Sequence, residues 1–229
     1  MAVVIIGNGK SRQHMDLNKI KEKARTFGCN ALYRDFAPDY LLTIDPHCTH
    51  EIFDSDYSLN NKVVISNMNS LPGEVRDSME ILDGAILYEN EPTDYEFIYN
   101  GWGKHTYITW IKEKNQIMHT PWEDDGWGLS AGIQAIRLSH HLYPKDIKYL
   151  IGFDIFGERD NMYDGTNGYP SKSASNHMIQ EFIDGFKYLL NIHDDLIIKR
   201  VIDQDQSLEN IPNVSEDELW QNLANNQKI

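Results

Sequence analysis

The sequence predicts an α/β protein with a Rossmann-like open sheet, mostly parallel, and helices on both faces. Three observations predict it. The short apolar run Val3–Ile6 stops at glycine, the pattern of a strand buried on both faces, and Lys148–Ile151 is a second strand that stops at glycine. Helical patterns at Gly132–His141 and His177–Leu190 fall between such runs. No solenoid-type period repeats along the 229 residues.

The elements follow in order. Val3–Ile6 is four β-branched residues closed by Gly7, the first strand. Lys19–Phe27 reads as a polar helix with Ile20, Ala24 and Phe27 on one side. Strands are expected at Tyr40–Ile44, Val63–Ser66 and Ala85–Tyr88, and another at Thr106–Ile111 within the aromatic stretch Phe97–Ile111. The helix Gly132–His141 stops before Pro144. Lys148–Ile151 is a strand that runs into Gly-Phe-Asp. His177–Leu190 carries Phe182, Phe186, Leu189 and Leu190 at helical spacing, and Leu196–Val201 is the last strand. Residues 1–202 read as one nucleotide-binding domain. Residues 203–229 read as a polar tail whose capping box, Ser215 with Glu218, starts a short helix through Leu219, Trp220 and Leu223.

Composition narrows the function. Apolar residues make up 41%, enough for a core, and the net charge is −14. An acidic surface repels polyanions, which argues against nucleic acid or an anionic membrane as partner. Cys29 and Cys48 make no disulfide framework, no stretch is long enough to span a membrane, and the N-terminus lacks a signal-peptide pattern. A cytoplasmic location is expected.

The chemistry gathers where strands stop or helices begin. Gly7-Asn8-Gly9 follows the first strand. Its glycines would let the chain turn sharply and a nucleotide approach without meeting a Cβ, while Asn8 and Ser11 add polar side chains. Arg12 stands where a dinucleotide fingerprint needs a third glycine, and Gly9-Lys10-Ser11 comes too early for a P-loop. A plain tight turn fits the same residues. Asn30 follows a short apolar step, Asp45-Pro46 and Gly152-Phe153-Asp154 end strands, and Ser130 is a natural N-cap before Ala131 and Gly132. In a parallel sheet these points converge on one crevice. Trp122 and Trp127, among acids in "MHTPWEDDGWG", suit stacking on an acceptor sugar, or packing in the core. His47, His50 and Glu51 have helical ligand spacing, with Cys48 between, but read as a solvated first turn, and Asp54-Ser55-Asp56 as an acidic turn, so no metal site is expected.

Together "VIIGNGKS", "GCN", "IDP", "LSAGIQAI", "IKYLIGFDIFG" and the His-bearing "NHMIQEFIDGFKYLL" resemble, in order, the motifs of the bacterial sialyltransferases of glycosyltransferase family 42 and wider relatives with a GNGPS-type start. The likeness runs from about Val3 to Leu190. It implies a cytidine nucleotide-sugar held by Gly7, Asn8, Gly9, Ser11, Asn30, Ser130 and Gly132, with Asp45 in the place of an asparagine. It implies His177 as the base that takes the acceptor hydroxyl's proton. It also implies tyrosines that steady the leaving phosphate. Phe156 fills the place of the first, Tyr163 lies one residue out of register with the second, and Tyr169 is near enough to substitute. No cofactor is required on this reading.

"GNGKS" and "IGFDIFG" also resemble the hydroxymethylpterin diphosphokinase-like proteins. That likeness implies ATP and Mg²⁺ held by carboxylates such as Asp45, Asp154, Asp160 and Asp164, with Lys10 on a phosphate. The leading expectation is sugar transfer from a nucleotide-sugar to a hydroxyl acceptor. The alternatives are a diphosphokinase and a non-catalytic nucleotide-binding module. Gly157–Ser175, rich in Gly, Asn, Ser and Asp, reads as a lid. Oligomeric state is not legible.

Overall fold

The computed structural model describes residues 2–55, 57–65, 106–110, 116–120, 130–156, 160–169, 178–203, 208 and 210–225. In chain order the elements are β1 (Val3–Ile6), α1 (Leu17–Lys23), β2 (Arg25–Cys29), β3 (Tyr40–Thr43), α2 (Pro46–Asp54), β4 (Lys62–Ile65), β5 (Thr106–Trp110), β6 (Gln116–Thr120), α3 (Ala131–Leu142), β7 (Lys148–Ile151), α4 (Met178–Ile192), β8 (Ile198–Val201), β9 (Asn213–Val214) and α5 (Glu216–Asn225). Short 3-10 turns lie at Lys10–Arg12, Asn30–Arg34 and Tyr57–Leu59. The chain divides into two compact units, Met1–Asp39 with Leu129–Ile229, and Tyr40–Gly128. The expected α/β class with a mostly parallel open sheet is what forms.

In the first unit the strands run β2-β1-β7-β8-β9, every neighbouring pair parallel. Ile6 sits opposite Gly28 on one side and Ile151 on the other. All four residues of β1 have 0% exposure, so both faces of the sheet are covered there. The chain leaves β1 for β2 on one side, and β7 lies on the other. The carboxyl ends of β1 and β7 therefore mark the point where strand order reverses, the place where open α/β sheets leave a crevice.

The second unit is built differently. There β3 and β4 pair in parallel, with Leu41 opposite Val63, and β5 and β6 continue as antiparallel strands. Pro46 fits the first turn of α2, whose N-cap is Asp45.

The helix expected over Lys19–Phe27 is shorter. Asp16 caps α1 by accepting from the Lys19 N–H at 3.1 Å, and Ala24 is already extended. Thr26 and Phe27 then enter β2, where the Asp39 carboxylate accepts from the Thr26 N–H (2.8 Å) and hydroxyl (3.1 Å). Ile20, Ala24 and Phe27 are all buried, but the last is buried by a strand. By contrast α3 is buried all round from Ala131 to His140.

The polar C-terminal segment builds into the first unit. Val214 pairs with Val201, Leu219 and Leu223 are buried, and α5 packs on α1. Ser215 accepts from the Glu218 N–H at 3.1 Å, half of the expected capping box. The Glu218 carboxylate goes instead to Lys199 Nζ at 2.8 Å. The strand expected at Ala85–Tyr88 lies outside the described residues.

Candidate functional site

The two glycines of the opening turn face protein. A Cβ on Gly7 would overlap the Gly152 carbonyl oxygen and stand 3.1 Å from the Phe153 ring. One on Gly9 would stand 2.5 Å from an Asp154 carboxylate oxygen and 2.7 Å from the Gly152 oxygen. The close approach that needs glycine is that of the chain leaving β7. Gly152 in turn has φ +67° and lies against Arg12. A Cβ on Gly132, at the start of α3, would touch the Phe153 ring at 3.0 Å, so Phe153 lies between Gly7 and Gly132. This brings the amino end of α3 to the ends of β1 and β7.

The turn's backbone donors are taken too. The N–H groups of Gly7, Gly9 and Lys10 donate to the carbonyls of Ile151 (2.8 Å), Gly152 (2.9 Å) and Asp160 (3.0 Å). The Ser11 N–H donates to Asp154 Oδ2 at 2.9 Å, and the Ser11 hydroxyl to Asp154 Oδ1. The Asp154 carboxylate thus occupies the position an anion would take on this turn. Behind it, on β8, the guanidinium of buried Arg200 lies over the Phe156 ring at 5.4 Å. Burial lowers the Arg200 pKa and the Asp154 charge opposes that shift. The phenyl ring at 156, where the resemblance expects a tyrosine, packs against this cation.

Asn8 is held in one orientation. Its Nδ2 donates to the Cys29 carbonyl (3.2 Å) and to the Tyr169 hydroxyl (2.9 Å). A carbonyl only accepts, so the amide nitrogen must face Cys29. Oδ1 is then buried with no hydrogen-bond partner. Such an acceptor costs about 1–3 kcal/mol until a donor reaches it.

Residues 160–169, part of the expected lid, are fastened to this edge. Asn161 bridges Gly9, and the Met162 N–H donates to the Asn8 carbonyl at 2.8 Å. Arg34 donates to the Thr166 hydroxyl (2.8 Å) and the Asn167 carbonyl (2.9 Å), and its guanidinium lies 5.8 Å from the Tyr163 ring centre. Tyr163 is 5% exposed; its hydroxyl donates to Asp35 Oδ2 at 2.6 Å and receives Arg12 Nη2 at 3.4 Å. Burial first, then the bond to Asp35, raises its pKa well above the ordinary phenol value. Arg12 Nε meets the Gly7 carbonyl at 2.5 Å. The Cys29 thiol, fully enclosed, is pushed up to about 12, against the Arg12 charge.

The other expected residues have local roles. Asn30 follows β2 at φ +47°, a left-handed position that asparagine tolerates. Ser130 caps α3 through the Ile133 N–H at 3.4 Å. Asp45, in the second unit, caps α2 by accepting from the His47 N–H at 2.9 Å. Asp164 accepts from the Asn161 N–H (3.0 Å) within its own turn, and Lys10 Nζ lies 4.0 Å from Asp160. His47 and His50 are exposed on α2, and Cys48 between them is buried, so the thiol does not share their face. Among the described residues no group of three or more His, Cys, Asp or Glu is arranged to hold a metal ion. His177, Trp122 and Trp127 lie outside the described residues. Sequence reasoning missed Arg12 and Asp35, whose only signal was their place within a few residues of the Gly9 turn and of Asn30.

Compared with family models, with curated proteins and with solved structures, the chain finds no match in any of the three. Of the resemblance drawn from the motifs, the parallel α/β sheet is what the structure shows. Among the described residues no helix is long and apolar enough to cross a membrane.

Proposed function

We propose that the chain binds a nucleotide-sugar at the carboxyl ends of β1 and β7 and transfers its sugar to a hydroxyl acceptor. One observation supports the binding half most directly: Asn8 Oδ1, oriented by the Cys29 carbonyl and left without a donor at the point where strand order reverses. An exocyclic amine or a ribose hydroxyl supplies such a donor. Asp154 fills the anion position of the glycine turn, so the phosphate belongs at the amino end of α3, by Ser130 and Gly132. Phe153 joins that end to Gly7.

The transfer half rests on the motifs. In this reading His177 takes the proton as the acceptor oxygen attacks the anomeric carbon, and the bond from that carbon to the phosphate oxygen breaks. Of the two tyrosines assigned to the leaving phosphate, Tyr169 touches Asn8, whereas Tyr163 donates its hydroxyl to Asp35.

The test is thermal stabilisation by CMP, a CMP-sugar, UDP, GDP and ATP, the last with and without Mg²⁺. A cytidine nucleotide at a hundred times its dissociation constant should stabilise the fold by about 2.7 kcal/mol. Asn8→Ala should abolish most of that shift. Stabilisation that survives in Asn8→Ala, or no response to any nucleotide, overturns the binding half. Strict dependence on ATP and Mg²⁺ selects the diphosphokinase. Cytidine nucleotide binding without release of sugar, with every acceptor tried, selects the non-catalytic module.

A further inference from the structure

Asp35 lies on the 3-10 turn that follows β2, its N–H donating to the Leu32 carbonyl at 3.0 Å. It belongs to the same carboxyl edge as Asn8, because β2 is the parallel neighbour of β1. A continuous set of side chains joins the two. Asn8 donates to the Tyr169 hydroxyl, the Tyr169 ring stands 5.7 Å from the Tyr163 ring, and the Tyr163 hydroxyl donates to Asp35. Arg12 fixes the middle of this set, touching both the Tyr163 hydroxyl and the Gly7 carbonyl.

The carboxylate is exposed, yet a buried tyrosine holds one of its oxygens at 2.6 Å. Among the described residues the other oxygen, Oδ1, takes no hydrogen-bond partner. A carboxylate only accepts, and it suits groups that bring two adjacent O–H donors. Where a parallel sheet of this kind binds a dinucleotide, a carboxylate past the second strand accepts from a ribose hydroxyl.

We propose that Asp35 reads the vicinal hydroxyls of the ligand's sugar, with Tyr163 and Arg12 as the residues that position its carboxylate. This rests on the nucleotide reading above. The hydroxyls belong either to the ribose or to the transferred sugar, and the test separates these.

The dissociation constants of CMP, 2′-deoxy-CMP and a CMP-sugar are measured by calorimetry on the whole chain and on Asp35→Asn. The amide oxygen of asparagine still accepts from Tyr163, so the variant's melting temperature without ligand should stay close to that of the parent. The parent should favour CMP over 2′-deoxy-CMP, or the CMP-sugar over CMP, by about ten- to a hundredfold, the range for a lost bond to a charged acceptor. Asp35→Asn should bring that ratio to within about threefold, and Tyr163→Phe should move it the same way by less. Loss of the ribo-to-deoxy preference assigns Asp35 to the ribose, and loss of the sugar preference assigns it to the donor sugar. Two ratios that stay unchanged in Asp35→Asn overturn the proposal while leaving nucleotide binding intact. A parent chain that shows neither preference also overturns it, even if Asp35→Asn does not fold. A parent chain that binds none of the three overturns the nucleotide reading itself.

Discussion

At the carboxyl end of β7, Gly152 and Asp154 lock onto the Gly7–Ser11 turn through backbone bonds and one carboxylate that takes both donors of Ser11. At its amino end, Lys148 is fully buried too, but backbone carbonyls and titrating side chains surround it. Its Nζ donates to the carbonyls of Tyr143 and Asp146, each at 2.7 Å, and lies 3.4 Å from His140 Nδ1. The His140 ring lies tilted against that of His193, with centres 4.7 Å apart, and His140 Nε2 stands 3.1 Å from Asp195. The first end is closed by shape, with glycines where any side chain would collide. The second is closed by partners whose charge depends on pH. A ligand edge needs the first kind of closure, because a crevice must keep its geometry when a proton comes or goes.

The largest expected effect is at the shape-closed end. Gly7→Val puts a Cβ onto the Gly152 carbonyl, a backbone atom that cannot turn aside. The variant should lose about 3 kcal/mol or more in urea denaturation, or fail to fold. An unchanged midpoint would mean that β1 and β7 part at this point, and the contrast between the two ends would dissolve.

Asp154→Ala is expected to cost less, about 1.5–3 kcal/mol for the bonds from Ser11 to a charged acceptor. It also sharpens the comparison. With the carboxylate gone, the Ser11 N–H, the Ser11 hydroxyl and the Arg200 charge are left facing an empty anion position. Inorganic phosphate should then stabilise the variant more than the parent chain, read as a shift in melting temperature. Equal shifts would show that Asp154 does not stand in for an anion.

The carboxyl end was legible in the sequence because glycine punctuates strands: Val3–Ile6 before Gly7, and Lys148–Ile151 before Gly152. What the glycines faced was not legible. A residue that admits a close approach looks the same whether the approaching group is ligand or chain. Asp45-Pro46 read correctly as the boundary after a strand, but its carboxylate caps the helix it begins. The spacing of Phe27 from Ile20 and Ala24 fits a helix, and the bonds from Thr26 to Asp39 that draw it into β2 are not local. The amino end of β7 could not be read at all. Its residues come from positions 137–148 and 193–195, and His140 and His141 side by side on a helix gave no sign that one of them meets His193.

The smallest expected effect lies at that end, and it depends on pH. His193 is half-buried and its Nε2 is enclosed with no hydrogen-bond partner. Burial lowers the His193 pKa below 6.5, Arg137 and Lys148 push the same way, and Asp195 opposes them. The His140 pKa is lowered by burial and Lys148, again against Asp195, and that of His141 by burial and Arg137. A histidine with a depressed folded-state pKa binds fewer protons than it does in the unfolded chain. Its contribution is therefore complete above the unfolded value of about 6.5 and is lost as pH falls through the folded value. The parent chain should lose stability as pH falls below about 6.5, a window below that of Lys148, whose pKa is lowered to about 8. His193→Phe keeps a ring against His140, and removes one titrating group together with its enclosed Nε2. The variant should be more stable than the parent at pH 5.5 by about 1 kcal/mol, with a smaller gain at pH 7.5, read from urea midpoints at the two values. A gain equal at both would assign the benefit to packing alone. A loss at both would mean that His193 is held by a bond its ring makes, and the amino end of β7 would then be closed by shape as the carboxyl end is.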